Sequence, residues 1–289
     1  MTTEARDVPP EVRAVVLGPD PAEAAGRLAF FRDVLQGAAL AEGEEGRVLA
    51  TLIMRAYGRL PAERVARRLS SLRVEAASRM RAAGARRPGL RQGTGEVEAG
   101  PPEPLHAGFF AVDLHRLRHR RFDGRLSDPL TREVFVVGDA VTVLPYDPVR
   151  DRVLLIEQFR VGPFGRGDPL PWQLEAIAGR IDPGETPEEA ARREAVEEAG
   201  LVLGALEKVA EYYPTPGAVA EYLYSYVALC DLPDGVAGVF GAADEGEDIK
   251  GHLLGFERLV EVLASGEIGN APLLLTALWL QRERSRLRR

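Results

Sequence analysis

Cysteine is almost absent from this chain of 289 residues, which has a single one, Cys230. One cysteine excludes an internal disulfide framework and a cysteine-rich zinc site. Because Cys230 lies in the apolar run 222–232, a buried and inert thiol is favoured over a nucleophile. The four histidines have no metal-ligand spacing, and no nucleophilic triad or redox motif is present. Any chemistry is therefore expected from other side chains.

Long apolar runs are missing as well. No segment reaches transmembrane length, and the first residues, MTTEARDVPPEVR, lack a basic region followed by an apolar core. Hydrophobic residues make up 45% of the chain and charged residues 28%, as in soluble globular proteins. We therefore expect a cytoplasmic protein that does not associate with a membrane.

Lysine is scarce, since all basic residues except Lys208 and Lys250 are arginines. The net charge of −7 argues against general nucleic-acid binding. The charge is uneven, with 15 arginines against 11 acidic residues over 1–90 and 22 basic against 33 acidic residues over the rest. Six arginines between 64 and 81 fall on one predicted helix, where a solvated outer face is favoured over a surface for nucleic acid or an acidic partner.

The first 104 residues are predicted to form a helical region and a linker. Helix start signals and apolar periodicity predict three helices over residues 1–84, one after Asp20-Pro21, one around 48–57 and one from Pro61 to about Gly84. Residues 85–104 are rich in glycine and proline and lack an apolar period, which is typical of a linker. This small all-α N-terminal region has no assigned role.

Residues 105–289 are predicted to form a second domain of class α/β, rich in strands. Strands are predicted at 107–114, 133–137, 139–145, 153–159, 172–178, 206–213 and 222–232, and helices at 258–263 and 271–287. The turn-rich segment Tyr146–Asp151 predicts a hairpin between the third and fourth of these strands.

A helix with defined ends is predicted within residues 179–201. Thr186 is a suitable N-cap residue, Pro187 suits the first helical position, and Glu189 completes a capping box with Thr186. Gly200 is a suitable C-terminal stop. The helix is therefore predicted from about Pro187 to Ala199.

This helix carries a group of carboxylates. Glu194 and Glu198 are four residues apart and leave the same helix face, with Glu197 beside them. Like charges at this spacing repel each other, and a solvated acidic face would not require the flanking glycines or Arg193. Because hard divalent cations prefer oxygen ligands, the pattern predicts a site for such a cation.

The whole segment resembles the Nudix box, G-x5-E-x7-R-E-U-x-E-E-x-G-U, in which U is aliphatic or a small apolar residue. Every fixed position matches, and these positions are Gly179, Glu185, Arg193, Glu194, Glu197, Glu198, Gly200 and Leu201. The resemblance implies an α/β/α sandwich with a mixed sheet and hydrolysis of a nucleoside diphosphate linked to another group. It also implies Mg²⁺ as cofactor, with Mn²⁺ as a substitute.

Residues around the box resemble one branch of the family, the ADP-ribose pyrophosphatases. Pro216 lies fifteen residues beyond Leu201 in the sequence Tyr-Tyr-Pro-Thr-Pro-Gly, and further matches extend from about 105 to 280. This resemblance implies cleavage of ADP-ribose to AMP and ribose 5-phosphate. Another nucleotide sugar, such as ADP-glucose or GDP-mannose, stays open, as does a non-catalytic ligand sensor. The NADH, diphosphoinositol and cap-cleaving branches are less favoured.

The resemblance also implies roles for individual residues. Glu194, Glu197, Glu198, Glu247 and the backbone carbonyl of Ala178 are the implied metal ligands, and Glu185 and Arg193 brace the loop. Glu245 is the implied general base, acting with Glu194 and Glu198. The implied substrate-binding residues are Arg132, Arg160, Phe109, Glu175, Gly217 and Glu221. A salt bridge is the alternative for the two arginines, and structural pairing is the alternative for Glu175.

The quaternary structure is likewise implied by resemblance. Two subunits are expected to pair through strands within residues 105–135, with 107–121 at the interface. Phe109 of one subunit would then stack on the adenine held by the other.

Overall fold

The computed structural model describes residues 8–84, 89–90, 93, 95–241 and 246–289. The chain forms two compact units. The first comprises Met1–Gly138 and Thr215–Glu221, and the second comprises Asp139–Pro214 and Tyr222–Arg289. These limits differ from the predicted boundaries at 84 and 105, and the predicted functional division stays a prediction. No helix in the described ranges has the length and apolar character needed to cross a membrane.

The first unit contains five helices in its described part. They are α1 (Pro10–Leu17), α2 (Ala24–Leu35), α3 (Gly43–Met54), α4 (Ala62–Ala66) and α5 (Leu69–Gly84). Their apolar faces share one core, which includes Val12, Val16, Leu28, Phe31, Val34, Leu49, Ile53, Val65 and Leu72. The prediction of a helical region is therefore confirmed, although three helices were expected.

The number of helices differs from the prediction at two places. Helix α1 was missed, and the helix predicted from Pro61 to Gly84 is divided into α4 and α5. At the division the Arg68 N–H donates to the carbonyl of Val65, three residues back, which is the tighter turn of a 3₁₀ segment.

Strands of the first unit follow the helices. β1 (Val97–Ala99) and β2 (Glu103–Ala107) both pair antiparallel with β3 (Ala111–His119), and β3 pairs antiparallel with the first half of β4 (Leu130–Asp147). β1 and the start of β2 lie within 85–104, the segment predicted to be a linker, and its role as a linker stays a prediction. The predicted strand 107–114 is wrong in its bounds, because residues 108–110 form the turn between β2 and β3.

The second unit contains the rest of the strands and helices. They are β5 (Arg152–Phe159), α6 (Val161–Arg166), β6 (Trp172–Glu175), β7 (Ile177–Arg180), α7 (Pro187–Ala199), β8 (Leu206–Tyr212), β9 (Val219–Leu229), β10 (Val239–Phe240), β11 (Ile249–Gly255), α8 (Phe256–Ser265) and α9 (Ala271–Leu287). The second half of β4 pairs antiparallel with β5 and β7. β5 also pairs with β6 and β11, β11 with β10, and β8 with β9.

Alternating residues of these strands contribute side chains to two hydrophobic cores, one on each face of the sheet. Val141 and Val143 of β4 pack with the alanines of α7, whereas Leu144 and Tyr146 pack with α8 and α9. Side chains of a strand alternate between faces, so helices cover both sides. The predicted α/β/α sandwich is thereby confirmed.

Several predicted elements are confirmed, whereas α6, β10 and β11 were not predicted and other strands differ in their bounds. The hairpin across Tyr146–Asp151 is present, and α9 has the predicted bounds. The strands predicted at 133–137 and 139–145 are one strand, β4, which continues through Gly138. The strand predicted at 172–178 is two strands, since β6 pairs with β5 while β7 pairs with β4.

Candidate functional site

Helix α7 begins and ends at the predicted residues. The Thr186 hydroxyl accepts the N–H of Glu189 at 3.2 Å, and the Glu189 carboxylate accepts the N–H of Thr186 at 2.8 Å. Gly200 closes the helix in the left-handed conformation with φ 63°, and its N–H donates to the carbonyl of Val196. The predicted capping box and C-terminal stop are confirmed, and they fix the ends of α7 at Pro187 and Ala199.

Glu198 faces β7 from this helix. Its carboxylate accepts the backbone N–H of Ala178 at 2.9 Å, and the residue is only 2% exposed. Four alanines of α7 are buried beside it, at 190, 191, 195 and 199. Such small side chains allow the helix to approach the strand closely, and the approach brings Glu198 against the backbone just before Gly179.

Glu194, one turn earlier, lies directly over Gly179. A Cβ atom added to Gly179 would be 1.8 Å from Glu194 Oε1 and 1.9 Å from its Cδ. The backbone of Gly179 does not have a positive φ. Gly179 is therefore not needed for a left-handed turn; its lack of a side chain leaves room for the Glu194 carboxylate.

The buried carboxylates have raised pKa values. Burial raises the pKa of Glu194 to about 7, against the lowering effect of Arg193, and the charges of Glu197 and Glu247 raise it further. Burial likewise raises the pKa of Glu198 to about 8, and Glu194 and Glu247 add to that shift. Three carboxylates, on Glu194, Glu198 and Glu247, therefore share one region of negative potential.

Arg193 is the cation that pairs with Glu194. Its guanidinium donates to both carboxylate oxygens of Glu185, at 2.9 and 3.0 Å, and to the carbonyl of Arg180 at 3.0 Å. It also donates to Glu194 Oε1 at 2.6 Å and to Glu197 Oε2 at 3.1 Å. The predicted pairing of Glu185 with Arg193 is confirmed. The contacts of Arg193 with Glu194 and Glu197 were not predicted, since the pattern assigned those carboxylates to metal alone.

The predicted metal ligands are carboxylate oxygens and one backbone carbonyl oxygen. Mg²⁺ and Mn²⁺ prefer oxygen ligands of these types, so the residues present fit such a cation. Among the described residues, however, no three His, Cys, Asp or Glu side chains are already gathered as a metal-ligand group. The carboxylate of Glu194 accepts from Arg193, and that of Glu198 accepts from the N–H of Ala178. Glu197 is half exposed, Glu247 is half buried, and Glu245 lies outside the described residues.

Arg160 and Glu175 form an ion pair in the second unit. Arg160 Nε and one terminal nitrogen each lie 2.8 Å from Glu175 Oε2, and Gln158 Nε2 donates to the same oxygen at 3.3 Å. The guanidinium is two-fifths exposed, whereas the carboxylate is mostly buried. This geometry matches the alternatives given for the two residues, which are a salt bridge for Arg160 and structural pairing for Glu175. Contacts of Arg160 and Glu175 with a substrate stay predictions.

The other predicted substrate-binding residues belong to the first unit. Arg132 is exposed on β4, opposite His115 of β3, and donates to the carbonyl of Thr131 at 2.8 Å. Phe109 is 69% exposed in the turn between β2 and β3. The remaining two are Gly217, which is exposed in a turn, and Glu221 of β9, whose pKa is raised by burial.

Known proteins match this chain over much of its length. A family model described as the NUDIX domain matches residues 137–274. An ADP-ribose pyrophosphatase of Escherichia coli (strain K12) is 41% identical over 189 residues, which are 65% of this chain and 90% of that protein. An ADP-ribose pyrophosphatase of Haemophilus influenzae is 34% identical over 188 residues, 64% of this chain and 86% of that protein. A GDP-mannose pyrophosphatase of Enterobacter sp. (strain 638) is 35% identical over 150 residues, 52% of this chain and 77% of that protein.

Proposed function

The chain belongs to the Nudix hydrolase family, and we propose that it hydrolyses the pyrophosphate bond of ADP-ribose to AMP and ribose 5-phosphate, with Mg²⁺ as the metal. The observation that carries the substrate assignment is the 41% identity with an ADP-ribose pyrophosphatase over 90% of that protein. The helix α7, with Glu194 and Glu198 on one face, supports the metal-dependent chemistry.

The proposed metal ligands are oxygens of the second unit. They are the carboxylates of Glu194, Glu197, Glu198 and Glu247 and the backbone carbonyl of Ala178. Burial of Glu194 and Glu198 raises their pKa values, and a divalent cation would offset the negative charge held there. When bound, the cation would neutralise charge on the diphosphate and lower the pKa of the attacking water. Mn²⁺, which takes the same ligands, is the proposed substitute.

The chain's own residues would position the reacting groups. Arg193, braced by Glu185, holds the carboxylate of Glu194 in place. Glu245 is proposed to orient the attacking water and to accept its proton, in keeping with the family resemblance. A guanidinium is planar and permanently charged, so Arg160 suits a phosphate contact and Arg132 suits the nucleotide.

The remaining substrate contacts are proposed by resemblance. Phe109 would stack on the adenine ring, and the turn with Gly217 and the start of β9 with Glu221 would lie against the substrate. Arg160 Nε donates to the carboxylate of Glu175 at 2.8 Å. To contact a phosphate, the Arg160 guanidinium would therefore have to leave Glu175 or bind both groups at once.

The substrate assignment is tested by a panel of nucleotide sugars. The purified protein with Mg²⁺ is expected to release AMP and ribose 5-phosphate from ADP-ribose, measured by chromatography, with a higher kcat/KM than for ADP-glucose or GDP-mannose. Rapid hydrolysis of one of the other two sugars without AMP release from ADP-ribose would overturn the assignment of substrate.

GDP-mannose is the second candidate substrate, because a GDP-mannose pyrophosphatase is 35% identical over 77% of its own length. The bond broken and the proposed metal ligands are the same in both cases. A non-catalytic ligand sensor is less favoured, since a sensor does not require the buried carboxylates of Glu194 and Glu198. Multiple turnovers with any member of the panel would exclude the sensor.

We further propose a homodimer that forms through residues 105–135. The strand β3 and the exposed Phe109 of the first unit lie in this range. Sedimentation at micromolar concentration is expected to give twice the chain mass of 31.5 kDa. Sedimentation as a monomer would contradict the proposal. A cytoplasmic location is also proposed and is checked by cell fractionation.

A further inference from the structure

Gln158 of β5 carries a buried amide that has no assigned role. The residue is 6% exposed, and its Nε2 donates to Oε2 of Glu175 at 3.3 Å. The same carboxylate oxygen accepts from Arg160. Only the NH₂ group of the amide can face a carboxylate, because the amide oxygen is itself an acceptor. Gln158 and Arg160 are therefore two donors on one acceptor.

The three side chains differ in how firmly they are held. Gln158 and Glu175 lie on the paired strands β5 and β6, whereas Arg160 follows the last residue of β5. The guanidinium of Arg160 is two-fifths exposed, while the carboxylate of Glu175 is mostly buried. Arg160 is therefore the member of this group that is free to change its partner.

A release of Arg160 would leave the Glu175 carboxylate short of donors. In the part of the chain that the structure describes, the hydrogen bonds of this carboxylate come from Arg160 and Gln158. A mostly buried carboxylate without any donor is strongly unfavourable. Because Gln158 is fixed on the neighbouring strand, one donor remains on Glu175 when Arg160 leaves.

Arg160 also lies close enough to the proposed metal ligands to act on them. Burial raises the pKa of Glu198 to about 8, and the positive charge of Arg160 is one of the influences that lower it. A diphosphate bound by a cation at Glu198 would therefore place a second anion near the guanidinium of Arg160. Guanidinium groups bind phosphate and carboxylate through the same paired N–H groups, so the two anions compete for Arg160.

We propose that Gln158 is a positioning residue, which stays on Glu175 when Arg160 turns to the diphosphate of the substrate. This inference rests on the proposed function, in which Arg160 contacts a phosphate. Gln158 acts through Glu175 and determines how readily Arg160 is released. Without the amide, Glu175 would retain Arg160, and the diphosphate would bind more weakly.

Calorimetric titration of the full-length protein with α,β-methylene-ADP and Mg²⁺ tests the proposal. This probe carries the two phosphorus groups, and its methylene bridge prevents cleavage. Gln158→Leu, which removes the donor and keeps a similar size, is expected to raise the Kd about fivefold or more, since hydrogen bonds to charged groups have effects of this order. The matched control is Gln173→Leu on β6, opposite Gln158, whose amide donates to the carbonyl of Trp172 instead. Its Kd should stay that of the wild type.

Steady-state kinetics with ADP-ribose give a second readout. Gln158→Leu is expected to raise KM about fivefold or more with kcat nearly unchanged, because a contact made equally in the bound and transition states alters binding alone. A general loss of packing would lower kcat and the midpoint of thermal unfolding together.

A double-variant cycle separates positioning from packing. Glu175→Gln removes the charge that retains Arg160, so adding Gln158→Leu in that background should change the Kd by less than about twofold. If Gln158→Leu does not fold, Gln158→Met, which keeps the length of the side chain, is titrated with the same expectations.

An unchanged Kd in the folded Gln158 variant would overturn the proposal. An equal loss with and without Glu175→Gln would also overturn it, as would a wild type that does not bind the probe. If the wild type binds the probe but hydrolyses no nucleotide sugar, the proposed function fails, while the titrations still decide the role of Gln158.

Discussion

At the scale of single residues, Gly179 shows how closely the candidate metal centre is packed. The carboxylate of Glu194 occupies the space in which any other residue would place its Cβ, at 1.8 Å from Glu194 Oε1. That carboxylate is held by Arg193, which is in turn held by Glu185. A change at Gly179 therefore acts on the position of Glu194, with little effect on the backbone.

We predict that Gly179→Ala lowers kcat for ADP-ribose by about 10²-fold, because displacement of a catalytic group by about 1 Å has effects of this order. Steady-state kinetics and thermal unfolding check the prediction. The matched control is Gly162→Ala, since a Cβ at Gly162 meets no atom within 4 Å. Full activity of Gly179→Ala would show that Glu194 does not need its observed position.

At the scale of secondary-structure elements, the turn between β4 and β5 depends on one buried carboxylate. Asp147 accepts the backbone N–H groups of Val149 and Arg150 at 2.9 Å and that of Leu232 at 3.1 Å, together with the guanidinium of Arg150. Burial alone would raise the pKa of Asp147, but these hydrogen bonds favour the charged form and lower the pKa to about 2. The ionised carboxylate therefore ties the segment that follows β9 to the hairpin.

This lowered pKa predicts a loss of stability in acid. A carboxyl whose pKa falls on folding contributes stability above its unfolded pKa of 3.8, and the contribution is lost as the pH falls toward 2. Asp147→Asn is expected to lower the free energy of unfolding by about 2 kcal/mol at pH 7, with a smaller difference below pH 4. Denaturant unfolding between pH 2 and pH 7 measures both values.

The control for this measurement is Asp234→Asn, which removes a carboxylate that is 97% exposed and pairs with Arg152. Exposed pairs contribute little, so a much smaller change than that of Asp147→Asn is expected. An Asp147 variant with the stability of the wild type at pH 7 would contradict the assigned role.

The elements differ in how far the sequence predicted them. Helix α7 was predicted to the residue because its start and stop signals, Thr186 with Glu189 and Gly200, are local in sequence. β1 and β2 were not predicted, since their pairing with β3 is non-local and their segment is rich in glycine and proline. The spacing of Glu194 and Glu198 was readable from helix geometry, whereas the hydrogen bond between Ala178 and Glu198, twenty residues apart, was not.

At the scale of the whole molecule, the two units have separate hydrophobic cores. Ile53 is fully buried in the helical core of the first unit, and Leu154 is fully buried in the second. Both tryptophans, Trp172 and Trp279, belong to the second unit. Tryptophan fluorescence therefore reports on one unit, while circular dichroism reports on both.

We predict that Ile53→Ala destabilises the first unit by about 2–5 kcal/mol, the usual effect of removing a buried branched side chain. In urea, part of the circular dichroism signal should then be lost before the fluorescence changes. Leu154→Ala should instead shift the fluorescence transition. If Ile53→Ala moves both signals together, the chain unfolds as one cooperative unit and the prediction is wrong.

The carboxylates of α7 are proposed to hold the divalent cation with which this chain cleaves a diphosphate. The most direct test compares AMP release from ADP-ribose by the wild type and Glu198→Gln across a range of Mg²⁺ concentrations, with Glu261→Gln, on the exposed face of α8, as control. We expect Mg²⁺-dependent turnover by the wild type and the control, and a loss of about 10²-fold or more in kcat for Glu198→Gln. Equal turnover by the wild type and Glu198→Gln at every Mg²⁺ concentration would contradict this proposal.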